Sequence, residues 1–334
     1  MKKILTLIAL FVINCTQVLI AQSAKELQEN ANTFLQQGDF SNAILLLNKA
    51  TLLEPNSTEL SKNLGLAYYL QKDNTKALET IKPLLDKDDV DDQCYQIAAS
   101  IYLQQLLPKD AEKVFKKGIK KFPVSGPLYN DYGEILWLQK DYNAIKQWEK
   151  GIEMDPSYSK NYYNASKYYY LTADKVWTII YAEIFVNIEP MGVHTTEVKE
   201  ILLDSYKKMF SENDITKLAK ADNTFEMAFL QSMNKQSQVA TLGINAETIT
   251  MIRTRFILDW YENYAEKFPF KLFDMNRQFL QEGLFEAYNQ WMFGAIQNLP
   301  AFQNWTNNND AAYKEFSKMQ KAKIFKLPTG QYYH

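Results

Sequence analysis

The chain has 334 residues, of which 46% are hydrophobic, and its 37 basic and 39 acidic side chains give a formal net charge of −2. This length is sufficient for two domains or one elongated domain. The charge balance and the lack of a basic stripe argue against nucleic acid as a partner, because proteins that bind phosphate backbones concentrate lysine and arginine on one face. The interspersed lysines and acids are typical of solvated helix faces.

The first residues have the pattern of a secretory signal peptide. Lys2-Lys3 is a basic start, residues 4–13 are apolar, and Ala21 precedes a polar stretch. This order predicts export, with cleavage near Ala21 and loss of residues 1–21. We therefore expect the protein in the periplasm of a Gram-negative bacterium or on the periplasmic face of its outer membrane. Any membrane association would occur through the N-terminus.

Two alternatives remain open for the same segment. Cys15 stands in a weak lipoprotein box, because the asparagine before it is a poor residue for that position, and lipidation is one alternative. An uncleaved membrane anchor is the other, although polar residues shorten the apolar run. If cleavage occurs as predicted, Cys94 is the one cysteine left, and it has no partner for an internal disulfide.

Residues 24–192 repeat one pattern with a period of 34 or 33 residues. The most regular position is an alanine, which recurs at Ala43, Ala77, Ala111 and Ala144. A bulky apolar residue follows each alanine four positions later, and in three copies a small residue and a proline follow in turn. Residues four and seven apart share one helix face, where a small residue admits a neighbouring helix, and proline ends the helix. The pattern predicts paired helices.

The period and the residue order resemble the tetratricopeptide-repeat (TPR) family. The resemblance implies an all-α fold, a right-handed superhelix of about five helix pairs over residues 22–192. Four copies are clear, and the fifth, Ser159 to Gly192, is degenerate because Thr178 replaces the alanine. The resemblance also implies a non-enzymatic protein–protein interaction scaffold that holds a peptide or protein segment in a concave groove.

In the family this groove is lined by the first helix of each pair. The family's groove positions fall here on Asn32, Lys62, Tyr69, Gln96, Ser100, Asn130, Glu134, Trp137, Tyr163, Lys167 and Tyr170. Amides suit the backbone of an extended peptide, and aromatic rings bury its side chains. Glycan or small-ligand binding is the alternative, because sugars stack on the same rings. Burial of these rings under the C-terminal helices also remains open.

After Gly192 the period fades, and residues 193–334 predict a helical C-terminal domain that covers the open end of the repeats. Its helices include Glu247 to Lys267, for which Asn245 is a candidate cap. The run from Glu282 to Trp291 and the Ala21 junction resemble uncharacterised exported TPR proteins of Bacteroidetes.

Two further helices are predicted in this region, Leu272 to Phe293 and Asp310 to Lys321. Gly283 lies among large residues in the first of them and suggests a close helix crossing. Pro300 and the polar residues after it separate the two helices. The last residues have no helical period, and we expect His334 to be disordered.

No pattern in the sequence supports catalysis. A glycine-rich phosphate loop and a nucleophile motif are absent. His194 stands three residues before Glu197, a spacing that places both on one helix face, but two ligands do not make a metal site. We therefore expect no enzyme, cofactor or metal. A helical enzyme whose site is assembled across domains remains a further alternative.

Overall fold

The computed structural model describes residues 24–172, 174–219, 223–322 and 325–334. All regular structure in these ranges is helical, and they contain no strand. This confirms the predicted all-α fold. None of the helices in these ranges is long and apolar enough to cross a bilayer. The predicted signal peptide, residues 1–21, and the candidate lipidation site Cys15 lie outside the described residues.

The chain packs as two compact units, which we call unit 1, ending at Pro123, and unit 2, Val124–His334. The domain boundary predicted at Gly192 stays a prediction. Unit 1 consists of three helix pairs in its described part. Its helices are α1 (24–37), α2 (Phe40–Leu53), α3 (Thr58–Leu70), α4 (Asn74–Ile81), α5 (Asp92–Gln104) and α6 (Pro108–Lys121), and a short 3₁₀ helix (Lys82–Asp86) follows α4.

The repeated small residues let the helices of unit 1 approach closely. Ala43, Ala77 and Ala111 are completely buried. At Gly65 on α3, a Cβ atom would lie only 2.4 Å from the side chain of Ile81 on α4, so no larger residue fits without a shift. The regular spacing of these residues in the sequence thus corresponds to the contact line between the helices of each pair.

Unit 2 begins with the last two helix pairs and continues into the C-terminal helices. The paired helices are α7 (Gly126–Leu138), α8 (Ala144–Met154), α9 (Ser159–Thr172) and α10 (Lys175–Ile188). The remaining helices are α11 (Thr195–Phe210), α12 (Thr224–Asn234), α13 (Ser237–Ala240), α14 (Ala246–Asn263), α15 (Lys271–Gln281), α16 (Phe285–Asn289), α17 (Ala295–Gln297), α18 (Leu299–Asn308) and α19 (Asp310–Ala322). A 3₁₀ helix (Ile215–Leu218) precedes α12, and a π-helical turn (Gln290–Gly294) joins α16 to α17.

The turn inside each helix pair has the same backbone geometry in four successive repeats. Gly38, Lys72, Leu106 and Lys140, spaced 34 residues apart, have positive φ angles of 77°, 68°, 60° and 60°. Glycine adopts this left-handed conformation freely, whereas other residues incur a steric cost. Only the first repeat has glycine there, so the other three turns are strained.

Helix α10 forms the centre of unit 2. Eleven of its fourteen residues are buried. Its Glu183 forms a buried ion pair with Arg253 of α14, and the same carboxylate accepts hydrogen bonds from Asn276 (3.1 Å) and Tyr288 (2.9 Å). The last helix of the repeats therefore shares one core with the C-terminal helices.

The final residues of the chain lie on the surface of unit 2. The ring of Tyr333 stacks on Phe225 at 4.6 Å, and its hydroxyl donates to the carbonyl of Pro269 (2.6 Å). The His334 ring lies 2.9 Å from a carboxylate oxygen of Glu149, and its side chain is only 20% exposed. The expectation that His334 is disordered is wrong, because aromatic residues of the helices provide a surface for it.

The C-terminal helices agree with the sequence in part. Asn245 caps α14 as predicted, in a capping box with Thr248. Gly283 does not mark a helix crossing: it has φ of 70°, a Cβ atom placed on it would have no neighbouring atom within 4 Å, and it ends α15 in a turn. The sequence analysis also missed α18, which Asn298 caps and in which Pro300 occupies the first turn, where its missing N–H costs nothing.

Candidate interaction face

In each pair we call the first helix the A helix. The A helices of unit 1 are α1, α3 and α5, and polar contacts join them in sequence. Gln28 donates to Glu59 at 2.9 Å, which links α1 to α3. Lys62 of α3 pairs with Asp91 and donates to Gln93 at 3.1 Å, both at the start of α5. The A helices of unit 1 therefore lie side by side.

The predicted groove residues of unit 1 are all half-buried. These residues are Asn32, Lys62, Tyr69, Gln96 and Ser100. Among the described residues, the side chains of Asn32, Tyr69 and Ser100 have no hydrogen-bond partner. They lie on α1, α3 and α5 respectively. Each A helix of unit 1 thus contributes a partly exposed polar group that bonds no other described residue.

Lys62 differs from these three residues because its charge is already compensated. Its side chain is 14% exposed and its ammonium group contacts Asp91. Burial raises the pKa of Asp91, but the hydrogen bond and charge of Lys62 and the hydrogen bonds from Cys94 together outweigh burial and hold that pKa below its usual range. We conclude that Lys62 joins two repeats and is not free to bind an anion.

In unit 2 the equivalent residues bond to one another. Asn130 on α7 donates to Glu134 (3.0 Å) and accepts from Asn164 on α9 (2.9 Å). Asn164 also donates to Glu134 at 3.2 Å. The structure therefore brings Asn130 and Glu134 together, but as parts of a hydrogen-bonded cluster between two A helices.

The three predicted positions on α9 all contact α11. Tyr163 donates to Glu197 (2.9 Å), and the ammonium group of Lys167 lies 2.8 Å from the same carboxylate. Tyr170 donates to Asp204 at 2.8 Å. The hydrogen bond from Lys167 lowers the pKa of Glu197, which keeps it ionised. These side chains connect α9 to α11 and are half-buried as a result.

Trp137 is a member of an aromatic cluster within unit 2. Its ring centroid lies 6.1 Å from Tyr142, 6.2 Å from Trp148 and 5.7 Å from Tyr168. Such packing fills the space between α7, α8 and α9, so the side chain supports the repeat. Removing it would damage the fold as well as any binding surface.

His194 and Glu197 do share one side of the chain, as their spacing predicts. The His194 ring stacks on Tyr163 at 4.3 Å, and its Nδ1 atom is 3.4 Å from Glu197. Glu197 also bonds Lys167 and Tyr163, so the pair belongs to the α9–α11 contact. Within the described ranges, no three or more histidine, cysteine or acidic side chains are grouped as for a metal ion.

The partners of the groove residues were missed by the sequence analysis, although the repeat period points to them. Asn130 bonds Asn164, Tyr163 bonds Glu197 and Tyr170 bonds Asp204, and each pair is 34 residues apart. Residues one period apart occupy equivalent places on successive repeats, and α11 lies beside α9 at the place of a next A helix. In unit 2, complementary side chains at that separation therefore signal that a groove position is already occupied.

Part of the chain matches a known protein family. Residues 34–101 match the family model described as tetratricopeptide repeat. Solved structures similar to the chain include pilF of Pseudomonas aeruginosa (14% identity, 67% of this chain and 93% of that one, TM-score 0.48) and a tetratricopeptide repeat protein of Parabacteroides merdae (17%, 72% and 92%, 0.42). No curated protein is significantly similar to the chain. The family match and the helix pairs together show that residues 34–101 are built of tetratricopeptide repeats.

Proposed function

We propose that the protein is a non-enzymatic scaffold that binds an extended segment of a partner protein on the A-helix face of unit 1, the surface formed by α1, α3 and α5. TPR proteins generally bind protein or peptide partners, and the family is typically non-enzymatic. Fold alone does not assign a function, so the argument rests on the side chains of this face.

The observation that carries the proposal is the set of unbonded polar groups in unit 1. The amide of Asn32 and the hydroxyl of Ser100 are half-buried and have no partner among the described residues. Groups of this kind exchange hydrogen bonds with the backbone of an extended peptide, while the ring of Tyr69 can cover an apolar side chain. In unit 2 the polar groove side chains on α7 and α9 are not available in this way, because they already bond residues of α9 and α11.

The glycan alternative has less support from the structure. A sugar would stack on exposed aromatic rings, but the Tyr163 ring is stacked on His194 and Trp137 is packed among three other rings. We therefore favour a peptide over a glycan, and a glycan remains an outcome that the binding experiment can reveal.

The test is a peptide-display selection on the purified protein, followed by affinity measurement for the selected peptide. Asn32→Ala/Tyr69→Ala/Ser100→Ala should weaken binding by about tenfold or more, since interface tyrosines are frequent hot spots. The matched control is Leu45→Ala/Leu52→Ala on α2, whose side chains are 52% and 80% exposed. It should leave the affinity unchanged. Equal affinities for both variants, with unchanged circular dichroism, would contradict the proposed face.

We further propose that this scaffold acts at the bacterial cell envelope, in the periplasm or on the periplasmic face of the outer membrane. The support is the basic start, apolar run and Ala21 junction of the N-terminal sequence. Mass spectrometry of the protein recovered from a periplasmic fraction should give Gln22 as the first residue. Recovery of a lipid-modified Cys15 from the membrane fraction would contradict cleavage at Ala21 and establish an anchored form.

A further inference from the structure

A cavity of about 280 Å³ lies in unit 2, and none of the A-helix positions discussed above lines it. It is bordered by α15, α19, Asn187 of α10 and residues 325–326. Much of its wall is apolar and comes from Met275, Phe279, Phe316, Met319 and Phe325. Three of these side chains are aromatic and two are methionines, which adapt easily to the shape of an apolar guest.

The polar part of the wall offers donors and positive charge. Gln320 lines the cavity, and its Nε2 atom is buried without a hydrogen-bond partner among the described residues. Lys271 and Lys326 also line it, both are exposed, and neither forms an ion pair with a described acidic residue. None of the described residues that line the cavity is acidic.

We propose that this cavity binds a single-chain carboxylate of medium length, such as a fatty acid of about ten carbons. A buried amide donor without an acceptor is costly, and a carboxylate oxygen is the acceptor that satisfies it most strongly. The two lysines add charge complementarity at the same cavity, and the methionine and phenylalanine side chains contact the alkyl chain. This proposal is independent of peptide binding on unit 1.

The size of the cavity limits the ligand. A volume of 280 Å³ holds about nine or ten water-sized groups, at about 30 Å³ for each. An alkyl chain of that length fills it, whereas a lipid with two long acyl chains does not fit. A neutral alcohol of equal length would gain the apolar contacts but would leave the lysines uncompensated.

Isothermal titration of the purified protein with decanoate and with decanol tests the proposal. Decanoate should bind at least about five times more tightly than decanol, because only the carboxylate gains the charged contacts. The ¹³C resonance of carboxyl-labelled decanoate should shift on binding, which provides a second readout. Equal affinities for the two compounds, or no binding of decanoate, would overturn the proposal.

Variants locate the site. Lys271→Gln/Lys326→Gln should weaken decanoate binding about five- to tenfold and leave decanol binding unaffected. Gln320→Leu should weaken decanoate binding about tenfold. The matched control is Lys314→Gln/Lys318→Gln, which changes the same charge on α19 outside the cavity. Met319→Trp fills the cavity and should abolish binding of both compounds. Unchanged binding in folded Met319→Trp, or equal losses in the control, would place decanoate elsewhere and overturn the assignment.

Discussion

The second helices of the repeats in unit 1 and unit 2 recur with one period but are buried to different extents. In α2 the buried residues are only the three of the motif, Ala43, Leu47 and Ala50. In α10 eleven of fourteen residues are buried, including positions that face away from the repeat. A helix that is apolar on all sides must be covered on all sides. The motif thus specifies the contact within a pair, and the residues outside it decide what else the helix packs against.

The A helices show a second difference between the units. Asn32 and Ser100 in unit 1 have no partner among the described residues, whereas Tyr163 and Tyr170 in unit 2 bond carboxylates on α11. For Asn32 the residue one repeat further along the chain is Leu66, which offers no hydrogen-bonding group, whereas for Tyr163 and Tyr170 it is Glu197 and Asp204.

The largest expected effect concerns the buried ion pair of unit 2. Arg253→Ala should reduce the free energy of unfolding by about 3–5 kcal/mol, because it leaves the buried Glu183 carboxylate without its counter-ion. All six tryptophans of the chain lie in unit 2, so a denaturant titration followed by tryptophan fluorescence reports on this unit. The transition should move to lower denaturant concentration.

An exposed ion pair in the same unit provides the control. Lys150 and Glu153 lie 2.8 Å apart with side chains 47% and 44% exposed. Lys150→Ala should change stability by no more than about 0.5 kcal/mol, because water screens such pairs. If Arg253→Ala reduced the free energy of unfolding as little as Lys150→Ala, the buried ion pair would not stabilise unit 2. The proposed contrast between the core of unit 2 and the repeats of unit 1 would then be wrong.

The sequence predicts the features that depend on local pattern. The 34-residue period places the helix pairs, and Asn245 marks the start of α14 because capping involves only neighbouring residues. The Glu183–Arg253 pair could not be predicted, since its members are 70 residues apart and belong to different patterns. The position of His334 beside Glu149 depends on tertiary packing in the same way. Gly283 was misread because a glycine among large residues is compatible with both a helix crossing and a turn.

A smaller effect on stability is expected at Lys199 of α11. It tests whether the packing of unit 2 is tight enough to lower the pKa of a lysine. Its ammonium group donates to the Trp291 carbonyl (2.8 Å) and lies 3.6 Å from the centre of that ring. Burial lowers the pKa of Lys199 to about 7. Between this value and the ordinary lysine pKa, the unfolded chain binds more protons than the folded chain, so stability should rise as the pH rises.

The comparison of wild type with Lys199→Met isolates this contribution. The stability of wild type relative to the variant should increase by about 1–2 kcal/mol between about pH 7 and about pH 9. Lys207→Met, at an exposed position of the same helix, is the matched control for removal of a lysine charge. A stability difference between wild type and Lys199→Met that does not change with pH would contradict this prediction. It would mean that Trp291 holds the lysine in its charged form despite its burial.

The smallest effect is expected at the left-handed turns, which occur in both units. Leu106 of unit 1 is 86% exposed and Lys140 of unit 2 is also exposed, so glycine at either position removes little side-chain contact. Leu106→Gly and Lys140→Gly should each stabilise the protein by about 0.5–1 kcal/mol, because glycine adopts positive φ without the steric cost. Urea unfolding followed by circular dichroism and by tryptophan fluorescence measures both changes.

The control is Leu138→Gly, since Leu138 is 80% exposed at the end of α7. Glycine at this position should destabilise the protein by up to about 1 kcal/mol. Similar gains in stability at Leu106 and Lys140 would show that the strain in the turn belongs to the repeat backbone and does not depend on the packing that distinguishes the units. A loss of stability at either position would show that its turn does not require positive φ.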